Sequence, residues 1–408
     1  MNAMADKPFA TIAYILMKHP SLSQTFLRRE VAELTRQGLR IEVHSLWRVR
    51  LDEPTPELAV HYFRWWEAFG LIVALPRALF RDPTLLRDGW RMLRRNRFTT
   101  LTDFLKNLWG AIFAVCRAQT FRQSRVHLIH GAWATSPATA AAILGRLCGV
   151  PFSFGAQAYD IYEHGGDQFL DAKLRAASFV HTTTETNIAY LHDRVPEANI
   201  VLARRGLDRL PAVTDEARKP GPIRILSVGR LASIKGHHLQ LAACAQLKQW
   251  GVPFAARIIG DGELRRSLED KIETLDLSDM VTLCGGQPHE QLEAAYRWAD
   301  IFWHTGVIDE SGNRDGLPNV IPEAFAYQLP VICGPVAGAT EAVTNEATGL
   351  VVDVSDPVAL AAAVKRLAED ESLRQRFGKN GRRWVKENFL VTENTAILAE
   401  AFRHAVRA

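Results

Sequence analysis

The chain has 408 residues, enough for two domains of ordinary size. Hydrophobic residues make up 47% and charged residues 23%, with a net charge of +4, a globular balance that gives no electrostatic case for nucleic acid as a partner. Five scattered cysteines without a CxxC pair argue against a zinc site or a disulfide frame and fit a reducing compartment. No secretory signal opens the chain and no 18-residue apolar span interrupts it. The expected location is therefore the cytoplasm, with a peripheral place on the inner face of the plasma membrane left open.

Residues 10–17 form an unbroken apolar run, which predicts a buried strand. A loop over 18–25 and a helix over 26–37, closed by Gly38, lead to a second strand over 41–46. Apolar strands joined by a helix predict a parallel, doubly wound α/β sheet. Such sheets bind ligands at their strand carboxyl ends.

Residues 51–125 break this pattern. The run Tyr62-Phe63-Arg64-Trp65-Trp66, the apolar stretch 69–80, and the segments 90–98 and 106–115 interleave basic residues with aromatics. Interfacial helices need that mixture, because arginine reaches headgroups while rings enter the acyl boundary. A helical insert whose aromatics pack on the sheet needs it equally, so a membrane surface as partner through 62–115 stays open.

Regular alternation returns with a strand over 126–130, an alanine-rich helix over 136–147 ended by Gly149, and a strand over 151–154. A loop with Gln157, Tyr159 and Asp160 follows, then a helix over 167–177 and strands over 179–182 and 200–208. Three prolines within 211–222 mark a linker. The expected domains are 1–208 and 223–385, joined by 209–222, with a terminal helix over 386–408 crossing back to the first domain.

The second half restarts with a strand over 223–228 and a loop holding Gly229, Arg230 and Lys235. A helix over 238–250 and a strand over 254–259 lead to the turn Gly260-Asp261-Gly262. A strand over 281–283 runs into Gly285, and a helix over 288–298 precedes a strand over 301–303. Next come an acidic loop, a helix start, a short helix and a buried strand, spanning Asp315 to Ile332, then a strand over 349–352 and helices from 357 onward. The dinucleotide fingerprint is absent after the first strand, which removes a dehydrogenase reading.

Arg230 and Lys235 flank a loop at a strand carboxyl end. Two cations there suit a diphosphate, neutralising it as it leaves. Solvated loop charges are the ordinary alternative. In Asp315-Gly316-Leu317-Pro318-Asn319, the proline is tolerated near a first helical turn, whose free amides suit an anion. Glu323 follows about one and a half turns later. An anion cradle beside two carboxylates fits a ligand with a phosphate and sugar hydroxyls, although a helix cap and a surface glutamate describe the same residues. His304, alone before this loop, reads as structural or solvated.

The stretch from Asp315 to Ile332 resembles the Glu-x7-Glu signature of family 4 glycosyltransferases, with Asp315 at the first Glu and Glu323 at the second. Glu310 is a substitute candidate for the first, but its spacing is poorer. Val228-Gly229-Arg230 with Ile234-Lys235-Gly236 is similar to the family's VGRLxxxKG loop. The stretches His19 to Glu30 and Pro151 to Tyr162 resemble its exopolysaccharide and colanic-acid branch.

The resemblance implies a GT-B architecture, two doubly wound Rossmann-like domains facing across a cleft, and transfer from a UDP- or GDP-linked sugar with retention. It implies that Arg230 and Lys235 hold the donor diphosphate, Glu323 the ribose and Asp315 a donor-sugar hydroxyl. Gly229, Gly260, Gly262, Gly285, Gly316, Leu317, Pro318 and Asn319 would line the donor. Ser23, Thr25, Tyr159 and Asp160 would lie on the acceptor side, facing a glycan or lipid-linked acceptor. Gln157 stands where the family carries a histidine. It can donate a hydrogen bond to a sugar hydroxyl but cannot take up a proton or a positive charge. No metal or other cofactor is expected. A glycolipid synthase and a degenerate, non-catalytic sugar-binding protein are the alternatives, the second supported by the departures at Gln157 and Asp315.

Overall fold

The computed structural model describes residues 10–19, 25–49, 59–95, 99–213, 221–288 and 291–408. The chain forms two units, one of residues 1–206 with 391–408, the other of 207–390. The expected linker 209–222 lies partly outside the described residues.

The first unit holds β1 (Thr11–His19), β2 (Arg40–Arg48), β3 (Val60–Tyr62), β4 (Leu128–Gly131), β5 (Phe152–Gly155), β6 (Phe179–Thr182) and β7 (Ile200–Leu202). They pair in the order β3-β2-β1-β4-β5-β6-β7, all parallel. The second unit holds β8 (Ile223–Val228), β9 (Phe254–Ile259), β10 (Val281–Leu283), β11 (Ile301–His304), β12 (Val331–Cys333) and β13 (Gly349–Val351). Its order is β10-β9-β8-β11-β12-β13, again parallel. Both orders reverse direction beside their first strand, at β1/β4 and at β8/β11. Ligand-binding crevices open at such reversals, outside the carboxyl ends of the strands.

Both faces of each sheet are covered, which explains the largely apolar strands. Ile225 and Trp303 belong to one core cluster, and their neighbours Leu226 and Phe302 to another. Ala13 and Ile15 face one layer of the first unit, and Ile12, Tyr14 and Leu16 the other. Period-two alternation thus survives in sequences that show none.

The terminal helix Val391–Arg407 closes the second face of the first unit. Leu398, Ala399 and Phe402 are fully buried there, with Phe402 edge-on to Phe179 at 5.4 Å. Arg403 donates to the Gln37 carbonyl at 2.6 Å and Asn394 to the Arg205 carbonyl at 3.1 Å. The helix before it, Glu371–Asn388, stays in the second unit.

Among the elements that escape the sequence reading are β3, the helix Glu185–Arg194 and the short helices Tyr159–Tyr162 and Ala337–Ala342. β3 is three residues long and sits inside the irregular region. The helix Glu185–Arg194 is capped by Thr184, whose hydroxyl accepts the Asn187 N–H at 3.1 Å. The short helix Ala337–Ala342 follows β12. Among the described residues no helix is long and apolar enough to cross a membrane.

Candidate active site

In the second unit the loops after β8 and β11 meet at the reversal point. Thr305 Oγ1 donates to the carbonyls of Lys235 and Gly236 at 3.0 and 3.1 Å, and the Val307 N–H to the Ile234 carbonyl at 2.9 Å. Gly236 has φ +63°, and a Cβ there would stand 2.1 Å from the Thr305 oxygen. Only glycine permits this approach. The loop after β9 is drawn in similarly: a Cβ on Gly260 would stand 1.8 Å from the Gly229 oxygen. The Gly260 N–H reaches the Gly285 carbonyl at 2.9 Å. Gly229, Gly260, Gly262 and Gly285 therefore lie together at one sheet edge.

That stitching brings Lys235 onto Asp315. Its Nζ lies 2.9 and 2.7 Å from the two carboxylate oxygens. His304, the last residue of β11, places Nε2 at 3.3 Å from Asp315 Oδ2, outside good hydrogen-bond alignment. The Gly306 N–H donates to His304 Nδ1 at 3.2 Å, so a neutral ring carries its proton on Nε2, toward Asp315. Burial alone would raise the Asp315 carboxyl. The Lys235 ammonium and the His304 ring overcome it and hold Asp315 well below the usual carboxylate range. Sequence reasoning treated His304 as a bystander; its position at a strand carboxyl end was the available signal.

Arg230 is exposed at the end of β8 and makes no ion pair among the described residues. Its carbonyl lies 3.2 Å from His237 Nε2, which anchors the backbone beneath it. Glu323 lies on the helix Val320–Ala326 and accepts a hydrogen bond from the Tyr296 hydroxyl at 2.8 Å. Tyr296 is buried and stacks on Tyr327 with centroids 5.2 Å apart. Burial, then the Glu323 carboxylate, pushes the Tyr296 phenol up, so it remains a donor.

Pro318 sits before the cap residue Asn319 rather than inside the first turn, and its carbonyl takes the Ile321 N–H at 3.0 Å. The N–H groups of Leu317 and Asn319 make no backbone hydrogen bond among the described residues. Asn319 Oδ1 is buried without a partner there. The Leu317 side chain is packed in the core, which leaves only its backbone to meet a ligand. Gly316 is held against Gly338, where a Cβ would stand 2.0 Å from the Gly316 oxygen.

In the first unit, Gln157 follows β5 and is 7% exposed. Arg205 donates to its Oε1, which turns the Nε2 donor end away from the guanidinium. Arg205 itself lies over the Phe26 ring at 3.3 Å. Burial lowers the Arg205 guanidinium to about 10, against the opposing pull of Glu30. Glu30 accepts from the Tyr14 hydroxyl at 2.5 Å.

Asp160 corrects an expectation. It is 1% exposed and accepts backbone N–H groups from Ala134 at 3.0 Å, Ala158 at 2.8 Å and Gln157 at 3.2 Å. Burial raises this carboxyl and those amides oppose the rise. Its oxygens hold the loop in shape and are not offered to an acceptor. Tyr159 begins the next helical turn and is half-buried, with burial raising its phenol. Thr25 begins the helix Thr25–Arg36. Ser23 lies outside the described residues. Among the described residues no three His, Cys, Asp or Glu side chains are placed to hold a metal ion.

Comparison with known proteins bears on the chain's family and fold. Residues 212–384 match the family described as glycosyl transferases group 1. Over 391 residues the chain is 26% identical to the putative colanic acid biosynthesis glycosyltransferase WcaL of Escherichia coli K12, covering 88% of this chain and 92% of that protein. It is 37% identical over 151 residues to the amylovoran biosynthesis glycosyltransferase AmsK of Erwinia amylovora, covering 37% of each.

Among solved structures, the sucrose-phosphate synthase of Thermosynechococcus elongatus aligns with a TM-score of 0.75 at 19% identity, over 97% of this chain and 98% of that one. HepE of Anabaena, solved with UDP and glucose, aligns with a TM-score of 0.68 at 17% identity, over 97% and 100%. These likenesses establish the two-domain GT-B fold. Residues 212–384 are thus a glycosyl transferases group 1 domain, carried on a GT-B fold.

Proposed function

We propose that the protein transfers a sugar from a nucleotide-diphosphate donor, UDP- or GDP-linked, onto a glycan or lipid-linked acceptor in exopolysaccharide synthesis, with retention and without a metal. The observation that carries this reading is the meeting of Lys235 and Asp315 at the β8/β11 reversal, beside Arg230 and the stitched glycine turns. Relatives named for colanic acid and amylovoran synthesis supply the pathway class.

Arg230 and Lys235 neutralise the diphosphate and stabilise it as a leaving group. The amides of Leu317 and Asn319, which make no backbone hydrogen bond among the described residues, add donors where its charge develops. Glu323, steadied by Tyr296, accepts from the ribose hydroxyls. Asp315 accepts from a sugar hydroxyl once Lys235 turns to phosphate. Gln157 donates its Nε2–H to a sugar hydroxyl. Retention follows if the leaving phosphate oxygen takes the acceptor's proton on the same face. Work on lipid-linked acceptors places the protein at the inner surface of the plasma membrane.

The test is metal-free calorimetric titration with UDP, GDP and ADP, beside Arg230→Ala/Lys235→Ala. Selective binding of one nucleotide, lost in the double variant, supports the donor site. Binding of none of them overturns it and favours a non-catalytic role. Turnover abolished by a chelator would refute the metal-free cradle.

A further inference from the structure

The segment between β3 and the body of the first unit turns large apolar side chains outward. The helix Leu71–Arg81 is apolar on both sides. Its inner face packs Leu71, Ala74, Leu75 and Ala78 against Val115 and Leu147. On the other side Phe69, Ile72, Val73 and Phe80 are 67, 79, 53 and 92% exposed. At helical spacing those positions, with Pro76, share one face. Leaving a phenylalanine in water forfeits roughly 1.5–3 kcal/mol, so folding alone gives no reason for this stripe.

The pattern repeats in the neighbouring elements. In the helix Leu85–Arg95, Leu86, Trp90 and Leu93 are exposed at spacings of four and three. Arg87, Arg91 and Arg94 follow the same spacings one position along, on the flank of that stripe. Leu101, Leu105 and Leu108 expose a third stripe at the start of the helix Leu101–Gln123. Trp65 and Trp66 are exposed beside them. Contiguous apolar surface of this kind marks an interaction site.

The charges select the partner. Residues 64–95 contain seven arginines and three acids, Glu67, Asp82 and Asp88. Arg117 pairs with Glu67 at 2.5 Å and Arg146 with both Asp82 and Asp88, the latter at 3.0 Å; Asp88 also meets Arg87 at 3.3 Å and Arg91 at 3.6 Å on its own helix, so seven arginines still outnumber three acids. Arg64 and Arg94 lie beside the Trp66 and Trp90 rings at 5.2 and 5.8 Å. The surface therefore presents apolar stripes rimmed by cations. A second copy would set arginine against arginine. An anionic bilayer supplies both an apolar boundary and phosphates.

We propose that residues 64–95 and 99–108 dock the protein on an anionic phospholipid surface. The helix Leu71–Arg81 lies in the membrane plane, Phe69, Ile72, Val73 and Phe80 enter the acyl boundary, and the arginines reach the headgroups. This deepens the lipid-linked part of the proposed function by naming the surface that meets the lipid.

Co-sedimentation with vesicles of phosphatidylcholine, alone or with phosphatidylglycerol, tests it on the full chain. The unaltered protein binds the anionic vesicles, its tryptophan emission shifts to the blue, and salt weakens binding. Ile72→Glu/Val73→Glu/Phe80→Glu weakens binding about 100-fold or more through lost apolar insertion. Arg87→Glu/Arg91→Glu/Arg94→Glu weakens it by a similar factor, on anionic vesicles only. All these positions except Ile72, Val73 and Phe80 are charged already, and all six are exposed, so folding is preserved and is checked by thermal melting. Absence of binding by the unaltered protein, or unchanged binding by the stripe variant, overturns the proposal. So does light scattering that shows a dimer converted to monomer by the stripe variant, which would assign the surface to a second copy. Nucleotide titration of the same variants separates the two readings: vesicle binding without nucleotide binding sinks the donor site and leaves the membrane surface standing.

Discussion

Asp315→Asn separates two roles for Lys235. In the free protein the Lys235 ammonium is held by both Asp315 oxygens, at 2.7 and 2.9 Å. A donor diphosphate must draw it away. At 2.7 Å and an effective dielectric of about 20, the gross attraction is roughly 6 kcal/mol. Both side chains are 19% exposed, and desolvation offsets most of that figure. A net coupling of about 1–3 kcal/mol remains. Removing the carboxylate charge therefore has two opposite consequences. The second unit loses about that much stability, which is about 2–4 °C of Tm per kcal/mol for a unit of this size. The freed ammonium binds diphosphate more tightly, by roughly tenfold for each 1.4 kcal/mol released. Calorimetry with UDP or GDP on Asp315→Asn, Lys235→Ala and the unaltered protein reads this directly. Asp315→Asn should bind the nucleotide diphosphate more tightly yet transfer sugar more slowly, while Lys235→Ala binds it more weakly. Because Asp315 is held well below the usual carboxylate range, its stabilising contribution is complete at neutral pH and disappears only in strong acid. If Asp315→Asn weakened nucleotide binding as much as Lys235→Ala, the competition argument would be refuted.

Other perturbations probe single contacts. Tyr296→Phe removes the hydroxyl that steadies Glu323 at 2.8 Å; donor KM should rise about 3–10-fold with kcat little changed, in steady-state kinetics. Gly236→Ala forces a Cβ to 2.1 Å from the Thr305 oxygen; it should cost roughly 1–3 kcal/mol in denaturant melts and weaken nucleotide binding without touching a charge. His44 is buried between His61 and Phe121, and burial, then His61 and Arg117, lowers its ring from 6.5 to about 3. The unfolded chain takes up that proton first, so this contribution is full above pH 6.5 and fades as pH falls toward about 3. His44→Phe should flatten the acid limb of the stability profile by about 1.4 kcal/mol per pH unit, and an unchanged slope would assign that limb elsewhere.

The sheets were legible because most strands are largely apolar runs bounded by turns, and a parallel sheet covered on both faces leaves that trace. β3 left none: three residues with one half-buried face carry too little pattern. The helix Glu185–Arg194 has polar residues on most positions, and its clearest sign was the Thr184 cap. The charged residues of the site were legible as residue types at strand ends. Their pairings were not. Lys235 and Asp315 are 80 residues apart, and they meet because β8 and β11 are sheet neighbours although β9 and β10 lie between them in sequence. Asp160 was misread for a related reason. A carboxylate in a loop after a strand looks available until the amides of Ala134, Gln157 and Ala158 are seen converging on it.

Gln157 shows how such a pairing changes the chemistry of a departure. Taken alone, a neutral amide in place of a histidine removes a cation from the site. The structure restores one beside it, because Arg205 donates to Gln157 Oε1 and lies over the Phe26 ring. That contact fixes the amide orientation: Oε1 is committed to the guanidinium, so Nε2 is the end left to donate. A hydrogen bond from a guanidinium also polarises the amide and strengthens the donor at its far end. The loop after β5 thus keeps positive character at Gln157 while losing the ability to exchange a proton there. A mechanism in which the leaving diphosphate takes the acceptor proton makes no use of such exchange, so the glutamine is compatible with turnover. A mechanism that needed an acid or base at this position would find neither in the amide nor in Arg205, whose guanidinium, though lowered to about 10, stays charged at neutral pH.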